Sequence, residues 1–193
     1  MQMHGLIPRM DTTTTHPQYI AGTWKLDPAH SELSFSVRHL AISKVRGSFE
    51  NFDATIVTGE NPADTTIDAT IEVASVNTNQ AQRDEHLRTS DFFKVDEFPT
   101  ATYAAKDIAI DGDDFTVTGD LTLRGVTKPV TLKGEFGGVT TDGYGQTKAG
   151  ASATAKFNRN DFGVSWNAAV EAGGLTLGDE ITLNADIQVV LQK

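Results

Sequence analysis

Ile181 to Leu191 reads ITLNADIQVVL. Ile181, Leu183, Ala185, Ile187, Val189 and Leu191 share one face, while Thr182, Asn184, Asp186 and Gln188 share the other. Alternation with a period of two is the pattern of a strand with one face buried and one face in water. The same pattern recurs upstream. Leu33, Phe35, Val37 and His39 form one stripe, Ile67, Ala69, Ile71 and Val73 a second, and Phe115, Val117, Gly119, Leu121 and Leu123 a third.

Parity breaks and turns organise these stripes. Phe49 is odd but Phe52, Ala54 and Ile56 are even, which predicts a bulge near Glu50 and Asn51; a second switch separates Tyr103 from Ile108 and Ile110. Bulges bend strands, and barrels need such bends. Gly59 to Asp64, Asp111-Gly112 and Asp142-Gly143 mark turns, and Asp-Gly between alternating runs is a hairpin signal. Helix is expected in two short places: Asn79 to Arg88, with Asn79 as N-cap and Gln82 three residues on, and Asn167 to Gly173. Neither covers a sheet, so the sheet must bury its apolar face against itself. The expectation is an all-β fold: eight or nine mainly antiparallel strands closed as a barrel. Residues 1–18 read as a flexible arm and 19–193 as one domain.

The formal charge of -10 is spread along the chain and includes no basic stripe, which argues against nucleic acid and against electrostatic attachment to anionic membranes. No cysteine is present, so disulfides, thiolate metal sites and a thiol nucleophile are excluded. The N-terminus lacks the pattern of a secretory leader and no run reaches a transmembrane length, so a cytoplasmic protein with no transmembrane segment is expected.

Catalytic signals are poor. There is no G-x-S-x-G, H-E-x-x-H or phosphate-binding loop, and Gly143-Tyr144-Gly145 falls in a hairpin. His30, His39 and His86 lack ligand spacing, so no metal is expected. Asp27, His30 and Ser31 resemble a triad in composition, but a stabilised turn is the better reading.

Two features concern a ligand. Arg83 to Lys106 sets Arg83, Asp84, His86 and Arg88 ahead of Phe92, Phe93 and Phe98. This is either the mouth of an apolar pocket or a helical cap on a barrel end. Ala149, Ala151, Ala153 and Ala155 share one face, which is either the taper of a packed barrel or room for a ligand. His39 ends its stripe as a loop-bonded histidine or as a polar group at a pocket mouth, and Trp166 is a further wall candidate.

Several ordered motifs resemble the YceI-like family, the lipocalin-like polyisoprenoid-binding proteins of bacteria. They are Trp24-Lys25-Leu26-Asp27-Pro28-Ala29-His30-Ser31, Phe35-Ser36-Val37-Arg38-His39 and Val45-Arg46-Gly47-Ser48-Phe49. Arg83-Asp84-Glu85-His86-Leu87-Arg88 follows, with Asp91-Phe92-Phe93 and Phe98-Pro99, and then the run from Gly119 to Val130. The resemblance covers Thr23 to Lys193. It implies a lipocalin-like antiparallel eight-stranded barrel around an elongated apolar channel. The implied ligand is a long-chain isoprenoid lipid, a polyprenyl phosphate or an isoprenoid quinone, carried or stored without a cofactor or catalytic residues. Family members often form homodimers, and many are periplasmic. Under this resemblance Phe35, Val37, Phe49, Phe92, Phe93, Phe98 and Trp166 are expected to line the channel, with His39, Arg83 and His86 at its entrance. Lys94 departs from the acidic residue expected after the paired phenylalanines. The rivals are an enzyme acting on such a lipid with His39 or His86 as base, a solid-core barrel serving as an interaction module, and a fatty acid or fatty amide as ligand.

Overall fold

The computed structural model describes residues 16–106, 108–167 and 177–193. Twelve strands among these residues form one antiparallel sheet. They are β1 (Gly22–Leu26), β2 (Glu32–His39), β3 (Ser43–Phe49), β4 (Phe52–Thr58), β5 (Thr66–Glu72) and β6 (Val76–Asn77), then β7 (Thr100–Lys106), β8 (Ala109–Asp111), β9 (Asp114–Leu123), β10 (Val126–Thr141), β11 (Thr147–Asn158) and β12 (Leu177–Leu191). One helix, α1 (Ala81–Arg88), lies between β6 and β7.

Eight of the strands form a ring in the order β1-β4-β5-β7-β9-β10-β11-β12, and β12 closes it on β1 through Trp24↔Leu191, Lys25↔Val190 and Leu26↔Val189. At one end the courses of β1, β4 and β5 continue, after short breaks, as β2, β3 and β6, paired in the order β12-β2-β3-β6. The expected eight-stranded antiparallel barrel is therefore the observed fold. Among the described residues β6 pairs with β3 and not with β7, so the wall parts between β6 and β7. The segment holding α1 connects those two strands across the parting.

The parity switch after Phe49 is a break between two strands, since β3 ends there and β4 starts at Phe52 with new partners. The later switch is a bulge: Ala105 pairs with Gly119 but Ala109 with Thr116, so the β7–β8 course carries one residue more than β9. Asp142 holds its hairpin by accepting from the backbone N–H groups of Tyr144 (2.9 Å) and Gln146 (3.0 Å). The turn joining β9 and β10 is Arg124-Gly125, both left-handed, which a search for Asp-Gly passes over.

Other expectations are corrected. The cap of α1 is Gln80, whose side chain accepts from the Arg83 N–H; Asn79 sits one residue outside at φ 61°. The second expected helical turn falls mostly on residues 168–176, outside the described residues. Of the expected arm, His16 to Gln18 are described. They lie against the barrel, with the His16 ring 2.8 Å from Asp113 and edge-on to Phe136. Ala149 and Ala155 are packed into the core, which fits a taper.

The closed interior holds two clusters. Trp24, Ala149 and Val189 pack with Ile56, Phe136, Val139, Ile187 and Leu191 at the end away from α1. The larger cluster runs from the waist to the α1 end. At the waist the Tyr103 phenol donates to the Val130 carbonyl at 2.9 Å, and burial pushes its pKa up to about 12. Gly119, on the apolar stripe, makes this possible: a Cβ there would lie 2.7 Å from the Tyr103 ring.

Outside the closing seam, Lys148 reaches Asp27 at 3.0 Å and Asp142 at 3.5 Å. Hydrogen bonds from His30 and then Lys148 hold the Asp27 carboxyl below its ordinary 3.8. A depressed carboxylate pKa stabilises the fold above the unfolded value and loses that effect as pH falls through the folded one. Lys148→Met is therefore expected to unfold at lower denaturant concentration than the parent at neutral pH. The difference should close once pH falls well below 3.8. Parallel urea titrations at both pH values check this.

Candidate functional site

The interior of the α1 half is not filled. A cavity of about 250 Å³ opens there, well above the ~10–15 Å³ that holds one water. Its walls come from strand ends that meet at this end of the barrel: Phe35 and Val37 of β2, Phe49 of β3, Leu121 and Leu123 of β9, and Ile181 and Leu183 of β12. The α1 segment supplies the remaining side with Leu87, Phe92 and Phe93.

Aromatic rings form two groups on this wall. Phe49 is 5.4 Å from Phe35 and 6.0 Å from Phe93. Trp166 is 5.3 Å from Phe92 and 4.7 Å from the His86 ring. Phe35, Phe93, Phe157 and Trp166 point inward yet are only partly buried, as expected for rings that face open space rather than packed neighbours.

A polar network anchors α1 over the parting. Asp84, buried, accepts from the Thr78 N–H (2.9 Å) and hydroxyl (2.5 Å). Arg83 donates from Nε to the Thr78 hydroxyl and from Nη2 to the Thr78 carbonyl, both at 2.8 Å. Arg88 donates from Nε to the Ala74 carbonyl at 2.9 Å. Arg83 thus lines the cavity while much of its guanidinium is engaged in holding the helix. His86 is engaged too, with Nε2 2.8 Å from Asp91. The His39 ring, at the end of β2, has no hydrogen-bond partner among the described residues.

Nine of the ten residues singled out in the sequence meet on this cavity: Phe35, Val37, His39, Phe49, Arg83, His86, Phe92, Phe93 and Trp166. Phe98 does not line it. Its ring packs on the Arg124-Gly125 turn, where a Cβ on Gly125 would come within 2.6 Å of it. None of the four alanines lines the cavity.

Sequence reading passed over Arg159. It is 3 % exposed and lines the cavity, with Nε donating to the Gly178 carbonyl and Nη1 to the carbonyls of Val164 and Trp166, each at 2.8 Å. Burial lowers its pKa, and Asp179 opposes that shift. A signal was present. Ala155, Phe157 and Arg159 continue one inward parity, so a cation stands where the pattern calls for an apolar residue.

Comparison with known proteins places these features. The pattern of the YceI-like domain matches residues 24–189. "Protein YceI" of Escherichia coli O17:K52:H18 is 41 % identical over 148 residues, covering 75 % of this chain and 78 % of that protein. A YceI protein of Campylobacter jejuni superposes with a TM-score of 0.69 at 34 % identity, over 81 % of this chain and 90 % of that one. A polyisoprenoid binding domain from Saccharophagus degradans, implicated in plant cell wall breakdown, shares the fold. Its TM-score is 0.67 at 17 % identity, over 88 % and 98 % of the two chains.

Gly47 controls the space beside Phe35: a Cβ there would lie 2.6 Å from the Phe35 ring and 2.8 Å from the Thr78 methyl. Gly47→Ala is expected to cost about 1–3 kcal/mol by overpacking. It should also drive the ring into the cavity and reduce uptake of an apolar fluorescent probe. Thermal melts and probe titration of the same sample check both effects.

Proposed function

Because this chain belongs to the YceI-like family, we propose that its barrel binds a long-chain isoprenoid lipid, for carriage or storage and without chemistry on it. The ligand is a polyprenyl phosphate or an isoprenoid quinone. The observation that carries this reading is the open cavity, walled by aromatic and aliphatic side chains, in a barrel otherwise packed. The Saccharophagus degradans neighbour, described as a polyisoprenoid binding domain, adds support.

Magnitudes favour the reading. Removing a five-carbon isoprene unit from water is worth about 3–4 kcal/mol at ~0.8 kcal/mol per buried methylene. An apolar cavity of ~150 Å³ takes up benzene. On that scale 250 Å³ receives on the order of two isoprene units. The Trp24 cluster is packed, so the cavity as it stands is shorter than the elongated channel that the family resemblance implies.

Among the described residues the lining carries no hydroxyl, amine or carboxylate; its imidazoles are His39 and His86, and His86 is tied to Asp91. A solid-core interaction module fits the cavity poorly.

Native mass spectrometry of protein purified from its own host, followed by organic extraction, tests the reading. A stoichiometric prenyl lipid or quinone is the expected result, and a fatty acid or amide would change the ligand but keep the cavity's role. Protein that carries nothing and ignores added prenyl lipids contradicts it. Phe93→Arg, which sets a charge in the apolar wall, is expected to weaken prenyl affinity at least tenfold, about 1.4 kcal/mol, in protein that remains folded. Fluorescence titration against the parent measures this.

A further inference from the structure

A buried guanidinium normally faces a carboxylate, because an uncompensated charge taken out of water is costly. Arg159 does not. It is 3 % exposed, and no carboxylate lies within ion-pair distance of it among the described residues. Its Nε and Nη1 donate to three backbone carbonyls, which fixes the plane of the group but leaves its charge unneutralised. Nη2 has no hydrogen-bond partner among the described residues, so two donors of a fixed fork remain unused on a residue of the cavity wall. Asp179, the nearest acidic influence, accepts instead from the Asn160 side chain.

The local fold builds this arrangement. β12 carries extra residues between Leu177 and Ile181, where β2 passes directly from His39 to Val37. The resulting bulge presents the Gly178 carbonyl to Arg159. Leu177 pairs with His39 and Gly178 accepts from Arg159, so Arg159 and the unpartnered His39 both adjoin the first residues of β12, and both line the cavity.

We propose that Arg159 is the anchor for an oxyanion on the ligand's head, of the phosphate class. Nη2 donates to the oxyanion and His39 stands beside it, while the isoprenoid chain occupies the apolar cavity. With Nε and Nη1 held by carbonyls, Nη2 offers single charge-assisted N–H contacts and not a bidentate fork. Arg suits phosphate here because such contacts are strong and its charge is held at any accessible pH. Arg83 and His86 then serve to position α1, since their polar atoms are engaged with Thr78 and Asp91.

The inference rests on the proposed isoprenoid cavity, and the test separates the two. Wild-type protein is titrated with a polyprenyl phosphate and with the polyprenol of equal length. The expected result is at least tenfold tighter binding of the phosphate, with that ratio falling to near one in Arg159→Gln. Equal affinity for both ligands in the wild type overturns the Arg159 assignment and leaves the cavity reading intact. Failure of both ligands to bind overturns the two together. Arg159→Gln also loses three carbonyl contacts, so a measurement on wild type stands beside it. Nitrogen-resolved NMR of the arginine side chains should show the Arg159 signal shifting with the phosphate and not with the alcohol. Identical shifts with both ligands count against the proposal.

Discussion

β12 carries two partners on one edge: β2 along Leu177 to Asp186, and β1 along Val189 to Leu191. The β1 seam is three residue pairs long, and it turns an open sheet into a ring without exposed edges across that section. Once the ring closes, every inward side chain shares one interior, and volume decides what that interior can do. At the end away from α1 the interior holds Trp24, Phe136 and their neighbours, packed as one cluster. At the α1 end the wall parts between β6 and β7, and the segment that spans the gap lines the space with rings instead of filling it. The cavity therefore follows from where the sheet closes and where it stops closing.

The polar groups around the mouth divide by what they already touch. Arg83, Asp84 and Thr78 form a closed network that holds α1, and His86 is tied to Asp91. Such satisfied groups position the segment, whereas His39 and one side of Arg159 retain unused hydrogen-bonding capacity. A cavity with apolar walls and a small number of available polar groups orients an amphiphile by its head and accepts its tail with little discrimination.

Much of this was legible in the sequence because strand period converts directly into facing. The stripe at Phe35 and Val37 and the stripe at Ile181 and Leu183 lie where alternation puts them, paired across β2 and β12. Parity also signalled the register change between the pairs Ala105↔Gly119 and Ala109↔Thr116. Phe98 was misread because composition alone grouped it with Phe92 and Phe93, whereas its ring covers Gly125 outside the cavity. Asn79 carries a stronger capping preference than Gln80, but its left-handed backbone sets it one residue outside the helix. Arg159 lies outside the Arg83–Arg88 run where the polar motif is dense, although its parity with Phe157 marks it as inward. No local pattern shows that the sheet parts at β6, since pairing between distant strands is a property of the closed ring.

The central claim is that an isoprenoid chain occupies the unfilled half of this barrel. Diffraction from crystals grown with a terminally brominated isoprenoid locates the chain through the anomalous signal of bromine. The account predicts a bromine position inside the barrel, among Phe49, Phe93, Leu123 and Ile181 or beyond Leu183. Bromine on the outer surface, or no site while side chains close the cavity, would contradict it.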